Sequence, residues 1–364
     1  MNMLMGRNGE GKTNILEAIS CLCLTKSFYA AGDMTLVRLG QEKLSVEGTL
    51  TGDAGTQYRV RVVYTGGSGE KLFTINGVRV ERLASVIGMF PVVVLSPENN
   101  TITFGPPSER RKFIDLVLSQ LSRGYFDDLL EYRQILRQRN RILGEARQRG
   151  SAQDGVLEPW NQNLAGYGAR IVHRRMQFVE DFSKYVTRSY ADLVRTNEEP
   201  GIRYLCAPES GPADSVDRIT EGILVELGRR EPEERRRGLT LVGPHRDDLL
   251  FQLNGIDLQK YASQGQHKTF LIALKMAEFF YLKEKREETP ILLLDDVLSE
   301  LDDERSRRLL RQVTQLGQTV VTTTNGTAFR DTIRWGNEDR RYYVEQGTCT
   351  PINIGDGKET AVGV

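Results

Sequence analysis

Met3-Leu4-Met5-Gly6-Arg7-Asn8-Gly9-Glu10-Gly11-Lys12-Thr13, close to the start of the chain, is the stretch that decides the fold. It fits GxxxxGK[ST], the pattern of a phosphate-binding loop, in which glycines allow backbone N–H groups to surround the phosphates. Lys12 neutralises phosphate charge, and the Thr13 hydroxyl can reach Mg²⁺. The apolar residues before the loop predict a strand, and residues 14–19 predict a helix whose N-terminus faces the anion. The sequence therefore predicts a nucleotide site formed by Gly6, Arg7, Asn8, Gly9, Glu10, Gly11, Lys12 and Thr13.

The composition of the 364-residue chain limits the classes of protein to consider. Because 49 Lys+Arg residues balance 49 Asp+Glu residues, only a local basic surface can decide for or against nucleic acid. The four cysteines show no CxxC spacing, which indicates reduced thiols instead of a zinc site or a disulfide framework. No apolar run is long enough for a membrane span, and a signal peptide would need an apolar core where the loop stands. We expect a cytoplasmic protein of one large or two moderate domains.

The segment after the first helix is rich in predicted strands. Alternating apolar and polar residues over 58–64 predict an antiparallel strand, and Asn76-Gly77 predicts a hairpin. The run from Phe90 to Leu95 is almost continuously apolar, which is typical of a strand buried on both faces. These elements and the phosphate loop together predict an α/β domain.

A change to helical spacing at Ser108 predicts an inserted domain. Helices are expected from residue 108 to 149 and from Trp160 to Arg195, with a Gly/Ser/Asp-rich break between them, so the pair predicts a helical hairpin. Six arginines and one glutamate lie between positions 133 and 149. This excess is compatible with a solvated helix face and with an arm that contacts DNA. In the second interpretation the DNA-binding residues are Arg133, Arg137, Arg139 and Arg141.

The predicted domain boundaries follow from this insertion. Residues 1–107 and 237–364 form a split head domain, and residues 108–236 form the helical arm. A hairpin at Asn254-Gly255 is expected within the second part of the head. His245, Asp247 and Asp248 are candidate metal ligands, but three ligands so close in sequence are a weak signal for a metal site.

Two further motifs complete the predicted nucleotide site. Ser263-Gln264-Gly265-Gln266 precedes a helix predicted for residues 267–283. Its hydroxyl, free N–H groups and helix dipole can bind an anion, although Ser263 can equally act as an ordinary N-cap. The run from Pro290 to Asp296 is an apolar strand that ends in two carboxylates, as in a Walker B element. We predict that Asp295 holds Mg²⁺ and that Asp296 orients the attacking water, while Ser263, Gly265 and Gln266 contact the nucleotide.

With these motifs in place, the sequence resembles RecF, a family of bacterial recombinational repair ATPases related to the ABC-type heads of SMC proteins. The resemblance covers essentially the whole chain. Its most specific parts are Gly6 to Thr13, Pro97-Glu98, Gly105 to Asp115, Gly243 to Leu249, Ser263 to Gln266 and Leu293 to Asp302.

The resemblance implies an ABC-type, SMC-like P-loop ATPase head with a mixed sheet, and a helical arm inserted into it. It implies that ATP is sandwiched between two subunits, with Lys12 and Thr13 of one facing Ser263 and Gly265 of the other. The loop Ser299–Asp302 would cross this interface. ATP hydrolysis would be weak, stimulated by DNA, and used as a switch.

The partners and pathway are also implied by the resemblance alone. They are an ATP-dependent homodimer, single-stranded DNA and single-strand/double-strand junctions, and the RecR and RecO mediator proteins. The implied role is a DNA clamp that supports recombinase loading, replication restart and the SOS response. An ABC transporter ATPase subunit or another SMC-like ATPase is the alternative, although the arginine-rich insert and the departure from Leu-Ser-Gly-Gly-Gln argue against a transporter.

Three departures from the family pattern carry expectations of their own. The chain begins at the loop strand, so we expect N-terminal strands of the head to be missing from this sequence. Asn99-Asn100 replaces the usual acidic-Leu pair after Pro97-Glu98. Thr322-Thr323-Thr324 stands where ABC proteins have a switch histidine, and we expect a threonine hydroxyl there to contact the γ-phosphate.

Overall fold

The computed structural model describes residues 1–149, 155–194, 197–211, 213–326, 329 and 332–352. The chain divides into two compact units, the first formed by Met1–Glu98 with Arg286–Val364 and the second by Asn99–Lys285. The predicted division into a split head, 1–107 with 237–364, and a helical arm, 108–236, stays a prediction. By contacts within the chain, the segment that carries Ser263 to Gln266 belongs to the second unit.

The first unit is built on a six-stranded mixed sheet in the order β13-β12-β1-β11-β10-β6. All neighbouring strands are parallel except the antiparallel pair β12–β13. The strands are β1 (Asn2–Met5), β6 (Val92–Leu95), β10 (Ile291–Leu294), β11 (Thr319–Thr323), β12 (Arg340–Glu345) and β13 (Thr348–Pro351). Parallel strands gather their carboxyl ends at one edge, which is where ligands bind in open α/β sheets. The mixed sheet and the α/β class confirm the predicted fold.

A second sheet of the first unit is antiparallel and consists of β2 (Lys43–Thr51), β3 (Gln57–Thr65), β4 (Glu70–Ile75) and β5 (Val78–Arg79). Asn76 and Gly77 both have positive φ, as a two-residue hairpin requires, so the predicted hairpin is confirmed. The helix α1 (Lys12–Leu24) contacts β2 and β3 of this sheet and β6 and β11 of the other. Its Leu16 is fully buried. The core of the unit therefore surrounds the helix that follows the phosphate loop.

The second unit is mainly helical, as the spacing predicts. It contains α2 (Asn100–Phe104), α3 (Pro107–Leu121), α4 (Arg123–Arg149), α5 (Glu158–Leu193), α6 (Val216–Arg237), α7 (Leu258–Tyr261) and α8 (Gln264–Arg286). The expected helical hairpin corresponds to α4 and α5, which pack against each other and against α6. Most of the break between them, and the predicted helix end at Arg195, lie outside the described residues.

The same unit has a three-stranded antiparallel sheet in the order β7-β8-β9, formed by β7 (Pro200–Leu205), β8 (Asp248–Leu253) and β9 (Ile256–Asp257). Asn254 and Gly255 again have positive φ, so the second predicted hairpin is confirmed. Aromatic residues of α5 and α8 pack together, with the Phe178 and Tyr281 ring centroids 5.2 Å apart.

Back in the first unit, α9 (Asp303–Val313) follows β10. Among the helices of the described ranges, none combines the length and apolar character needed to cross a bilayer.

Candidate nucleotide site

The phosphate loop connects the carboxyl end of β1 to the first turn of α1. Gly6 cannot be replaced without rearrangement, because a Cβ atom there would lie 2.2 Å from the Val344 carbonyl oxygen. Gly11 has φ +100°, a left-handed conformation that favours glycine. The Gly347 N–H donates to the Glu10 carbonyl at 3.0 Å, which ties the loop to the turn between β12 and β13. The predicted loop is therefore held by its own backbone demands and by the sheet beside it.

Lys12 lies inside this loop and is only 7% exposed. Its Nζ donates to the carbonyl oxygens of Gly6, at 2.6 Å, and Arg7, at 2.8 Å. Burial lowers the pKa of the Lys12 ammonium, while the nearby carboxylates of Asp296 and Asp295 act in the opposite direction. The ammonium is thus directed at the space that the loop encloses, where phosphate oxygens would offer it better acceptors than two carbonyls.

The Asp295 carboxylate after β10 is bonded to Thr13, which follows the phosphate loop, and to Thr322 on the neighbouring strand β11. The Thr13 hydroxyl lies 3.1 and 3.0 Å from the two carboxylate oxygens of Asp295 and donates to them. The Thr322 hydroxyl donates to Asp295 Oδ1 at 2.8 Å and accepts a hydrogen bond from the Asp296 N–H at 2.8 Å. Because β11 lies between β1 and β10, Thr322 stands between the two motifs. Residues more than 280 positions apart are therefore brought together, as the predicted site requires.

The oxygen atoms of this site fit Mg²⁺. A hydroxyl and a carboxylate are the hard oxygen ligands that Mg²⁺ prefers, and the ion usually binds through one or two carboxylates and retains several waters. The Thr13 and Asp295 oxygens already converge within hydrogen-bond distance. A cavity of about 300 Å³ adjoins them and is lined by Thr13, Asn14, Glu17, Tyr29, Ser96, Pro97, Glu98 and Asp295. There is room beside the candidate metal ligands for water and phosphate oxygens.

Sequence reasoning missed part of the lining of this cavity. Glu17 is only 6% exposed and accepts a hydrogen bond from the Ser27 hydroxyl at 2.5 Å. The same hydroxyl accepts from the N–H groups of Tyr29 and Ala30. The pair therefore fixes the turn that brings Tyr29 to the cavity. A glutamate on an otherwise apolar face of α1 was the available signal.

Two of the three threonines use their hydroxyls within the protein, and for Thr324 the expected γ-phosphate contact stays a prediction. The Thr322 hydroxyl is bonded to the Asp295 carboxylate and to the Asp296 N–H. The Thr323 hydroxyl donates to the Asn325 carbonyl at 2.8 Å, and Thr324 is exposed. For Thr322 the expectation of a γ-phosphate contact is therefore replaced by a role in holding the Walker B residues, because its hydroxyl is already bonded to the Asp295 carboxylate and to the Asp296 N–H.

The Ser263 to Gln266 turn lies in the second unit and forms a reciprocal cap at the start of α8. The Gln266 N–H donates to the Ser263 hydroxyl at 3.2 Å, and the Ser263 N–H donates to Gln266 Oε1 at 2.8 Å. This is the geometry of a capping box. Ser263 and Gln264 are exposed, and Gly265 is partly exposed. The N-cap interpretation of Ser263 is confirmed, and the exposed hydroxyl and backbone leave the anion-site prediction open.

The segment from Gly243 to Asp248, once a candidate metal site, builds the interior of the second unit. Asp248 forms a two-pronged ion pair with Arg110, with N–O distances of 2.7 and 2.8 Å. His245 shares a 2.6 Å hydrogen bond with the Tyr132 hydroxyl, and burial lowers the pKa of its imidazole to about 4. Burial raises the pKa of the Asp247 carboxyl to about 6. Asp248 therefore joins β8 to α3, His245 contacts α4, and the Asp247 carboxylate accepts a hydrogen bond from the Tyr204 hydroxyl of β7.

The arginines of α4 do not share one surface. Arg133, Arg137 and Arg141 recur every four residues and are exposed, which places them on one face of the helix. Arg133 pairs with Asp115 at 3.2 Å and Arg141 with Glu145 at 3.0 Å.

Arg139, by contrast, has no exposed side-chain surface. It donates to Glu234 at 2.6 Å, Asn161 at 2.9 Å and Thr240 at 2.8 Å. The prediction that Arg139 binds DNA is wrong, because a guanidinium buried among three partners cannot reach a phosphate without unfolding its surroundings.

Comparison with known proteins places these features in a family. Residues 1–346 match the model of the RecF/RecN/SMC N terminal domain. The DNA replication and repair protein RecF of Salinibacter ruber is 41% identical over 332 residues, which cover 90% of this chain and 80% of that protein. RecF of Chloroherpeton thalassium is also 41% identical, over 336 residues that cover 91% of this chain and 90% of the relative.

Solved structures give the same result for the fold. A structure of the recombination mediator protein RecF with ATP, from the RecFOR pathway, is similar with a TM-score of 0.88 and 30% identity, covering 97% of this chain and 91% of that one. An SMC head bound to the C-terminal winged-helix domain of ScpA has a TM-score of 0.51 at 14% identity, over 96% of this chain and 89% of that one. The second likeness concerns the fold alone.

Proposed function

The chain belongs to the RecF family of DNA replication and repair proteins, and we propose that it is an ATP-dependent DNA-binding clamp of recombinational repair. In this proposal ATP and Mg²⁺ bind at the phosphate loop, and two copies of the chain close on DNA at gaps and junctions. Hydrolysis is slow, is stimulated by DNA and reopens the clamp. The protein works in the cytoplasm and supports recombinase loading, replication restart and the SOS response.

The observation that carries the proposal is the convergence of Lys12, Thr13, Asp295 and Thr322 at one edge of the mixed sheet. The Thr13 hydroxyl and the Asp295 carboxylate lie 3.0 Å apart, as two ligands of one Mg²⁺ require them to be close. Lys12 is buried beside them and supplies the positive charge for the phosphates. Asp296 follows directly and supplies a carboxylate that can orient water. This set of groups supports ATP binding and hydrolysis.

The proposed second half of the site is the Ser263 to Gln266 turn of another subunit. Its serine hydroxyl and Gln264 are exposed, and the free N–H groups at the start of α8 carry the positive end of the helix dipole. A phosphate held by a second molecule can therefore bind at this exposed turn. The proposed partners RecR and RecO, which the RecFOR pathway of the relatives suggests, would act on this dimer when it is bound to DNA.

The test is light scattering of the purified protein with and without ATP and Mg²⁺. The wild-type chain should shift from monomer to dimer when ATP is added, and Asp296→Asn should stabilise the dimer because the nucleotide persists. Ser263→Arg should bind ATP and stay monomeric, since it places bulk and a cation where the second subunit approaches. Ser45→Arg, at an exposed serine of β2, is the control and should still dimerise.

Mixing the two variants sharpens this test. A mixed dimer of Asp296→Asn and Ser263→Arg chains has only one complete composite site, so it should be weaker than the Asp296→Asn homodimer. If ATP did not change the oligomeric state of any of these proteins, the clamp would be refuted. Dimerisation by Ser263→Arg would show instead that the turn does not face the second subunit.

A further inference from the structure

The side chain of Gln266 is held from two sides within the second unit. Its Oε1 accepts from the Ser263 N–H at 2.8 Å, and its Nε2 donates to Glu198 Oε1 at 2.7 Å. Because one end of the amide accepts and the other donates, the two hydrogen bonds define the orientation of the whole side chain. Through the capping box, the position of Gln266 then sets the geometry of the turn that begins α8.

Glu198 is connected in turn to the end of the long helix α5. Its Oε2 accepts from the Tyr190 hydroxyl at 2.6 Å. Tyr190 is 1% exposed and sits in the last turn of α5, with its ring centroid 6.3 Å from that of Phe270 on α8. Hydrogen bonds to a carboxylate are roughly twice as strong as those between neutral groups, so both of these links constrain the geometry.

We propose that Tyr190 and Glu198 are positioning residues that transmit the state of the helical arm to the Ser263 to Gln266 turn. The relay runs from the Tyr190 hydroxyl through the Glu198 carboxylate to the Gln266 amide. The arm helix α5 packs along α4, which carries the exposed arginine face, so a shift of α5 on DNA binding moves the relay. The turn then presents its hydroxyl and N–H groups to the nucleotide of a second subunit in a different orientation.

This inference rests on the proposed function for its biological meaning, but its physical content can be tested in the isolated monomer. Tyr190→Phe keeps the buried ring and removes only the hydroxyl, while Glu198→Ala removes both links. The matched control is Tyr185→Phe, which removes a hydroxyl from the same helix at a tyrosine that packs against Tyr281. All three proteins should retain the ATP affinity of the wild-type monomer, because the phosphate loop is unchanged.

The first measurement is hydrogen–deuterium exchange of the nucleotide-free monomer. Peptides covering residues 262–268 should exchange at least about tenfold faster in Glu198→Ala and Tyr190→Phe than in the wild type, while the remaining peptides and the control keep their rates. Unchanged exchange at the turn in both variants would overturn the relay, whether or not the wild-type chain dimerises. Faster exchange throughout the second unit would overturn it as well, because it would show a general loss of packing.

The second measurement is the ATP-dependent dimerisation constant with and without DNA. Glu198→Ala and Tyr190→Phe should weaken the dimer by about tenfold, and the gain in dimer affinity on adding DNA should shrink in both. Joining Tyr190→Phe to Glu198→Ala should add no further loss, since both act through one carboxylate. A wild-type chain that stays monomeric with ATP would defeat the clamp, while variants that dimerise like the wild type would defeat the relay.

Discussion

The phosphate loop with its two carboxylates and the Ser263 to Gln266 turn are both anion-binding motifs, yet they are built differently. In the first, the charged groups are buried and held by hydrogen bonds: Lys12 is 7% exposed and bonded to two loop carbonyls, and Asp295 is 6% exposed and bonded to Thr13 and Thr322. In the second, the serine and the following glutamine are exposed, and the polar groups of Ser263 and Gln266 are satisfied by each other and by Glu198.

This difference indicates a division of work. A site whose cation, hydroxyl and carboxylates are prearranged can bind a ligand without help, because little side-chain entropy remains to be lost. An exposed cap with few fixed charges contributes only when a ligand is presented to it. The first motif should therefore control binding and hydrolysis of the nucleotide, and the second should control association between molecules.

The largest effect is expected at Asp296, where a substitution should change hydrolysis without removing the nucleotide. Asp296→Asn leaves Asp295 and Thr13 in place for Mg²⁺ but removes the carboxylate that orients water. Hydrolysis of ATP should fall by between about 100-fold and 10,000-fold, the range for loss of a positioned general base. Phosphate release measured under single-turnover conditions checks this, and nucleotide affinity should not change. Full activity in the variant would assign the role to another group.

Lys12→Ala should abolish most nucleotide binding by the monomer. The lost charge-assisted hydrogen bonds correspond to roughly 1.5–3 kcal/mol of binding free energy, so the dissociation constant should rise about 10- to 150-fold. Equilibrium titration with a fluorescent ATP analogue measures it, with Lys43→Ala at an exposed lysine of β2 as the control. If Ser263→Arg lost as much monomer affinity as Lys12→Ala, the proposed division between the two motifs would be wrong.

What could be read from the sequence is what lies close together along it. The loop before α1, both Asn-Gly hairpins and the strand that leads into Asp295 each depend on local spacing, and the structure contains all of them. Thr322 and Glu198 could not be assigned in this way, because their partners lie on other strands and helices. Only the strand order places Thr322 beside Asp295.

The burial of Arg139 follows from the spacing of apolar residues on α4, but its charge led to the opposite prediction. Buried positions on α4 recur at Tyr132, Ile135 and Leu143, and this helical spacing includes position 139. Counting arginines placed it with Arg137 on a DNA-facing surface, whereas the apolar period places it in the core. A buried arginine is stable there because Glu234, also without exposed surface, pairs with it.

Thr322→Val tests the prearrangement of the first motif itself. Valine keeps the shape of threonine but cannot hydrogen-bond to Asp295 or to the Asp296 N–H. Groups that orient metal ligands typically contribute 10- to 100-fold to metal affinity, so the Mg²⁺ concentration for half-maximal ATP binding should rise by about tenfold. Thr322→Ser should restore it, and Thr319→Val on the same strand should have no effect. An unchanged Mg²⁺ requirement would show that Thr13 alone orients the carboxylate.

The smallest effect is expected for a single arginine of the arm, and the quantity measured is the affinity for DNA. Arg137→Gln removes one exposed charge from the face shared with Arg133 and Arg141, so binding to DNA should weaken by about two- to fivefold, the size of an exposed charge interaction. If the guanidinium contacts a phosphate, the slope of log affinity against log salt should also flatten by about one. Sequence preference should not change, since phosphate contacts carry no base information.

Two further arginines make this last experiment decisive. Arg229→Gln removes an exposed charge from α6 and should leave both affinity and salt slope unchanged. Arg139→Gln should do the reverse of Arg137→Gln: it leaves Glu234 buried without its full partner and lowers the thermal unfolding midpoint, while the salt slope of the folded protein stays the same. If Arg137→Gln left the slope unchanged, the arginine face of α4 would be a solvated surface, and DNA would have to bind elsewhere on the chain.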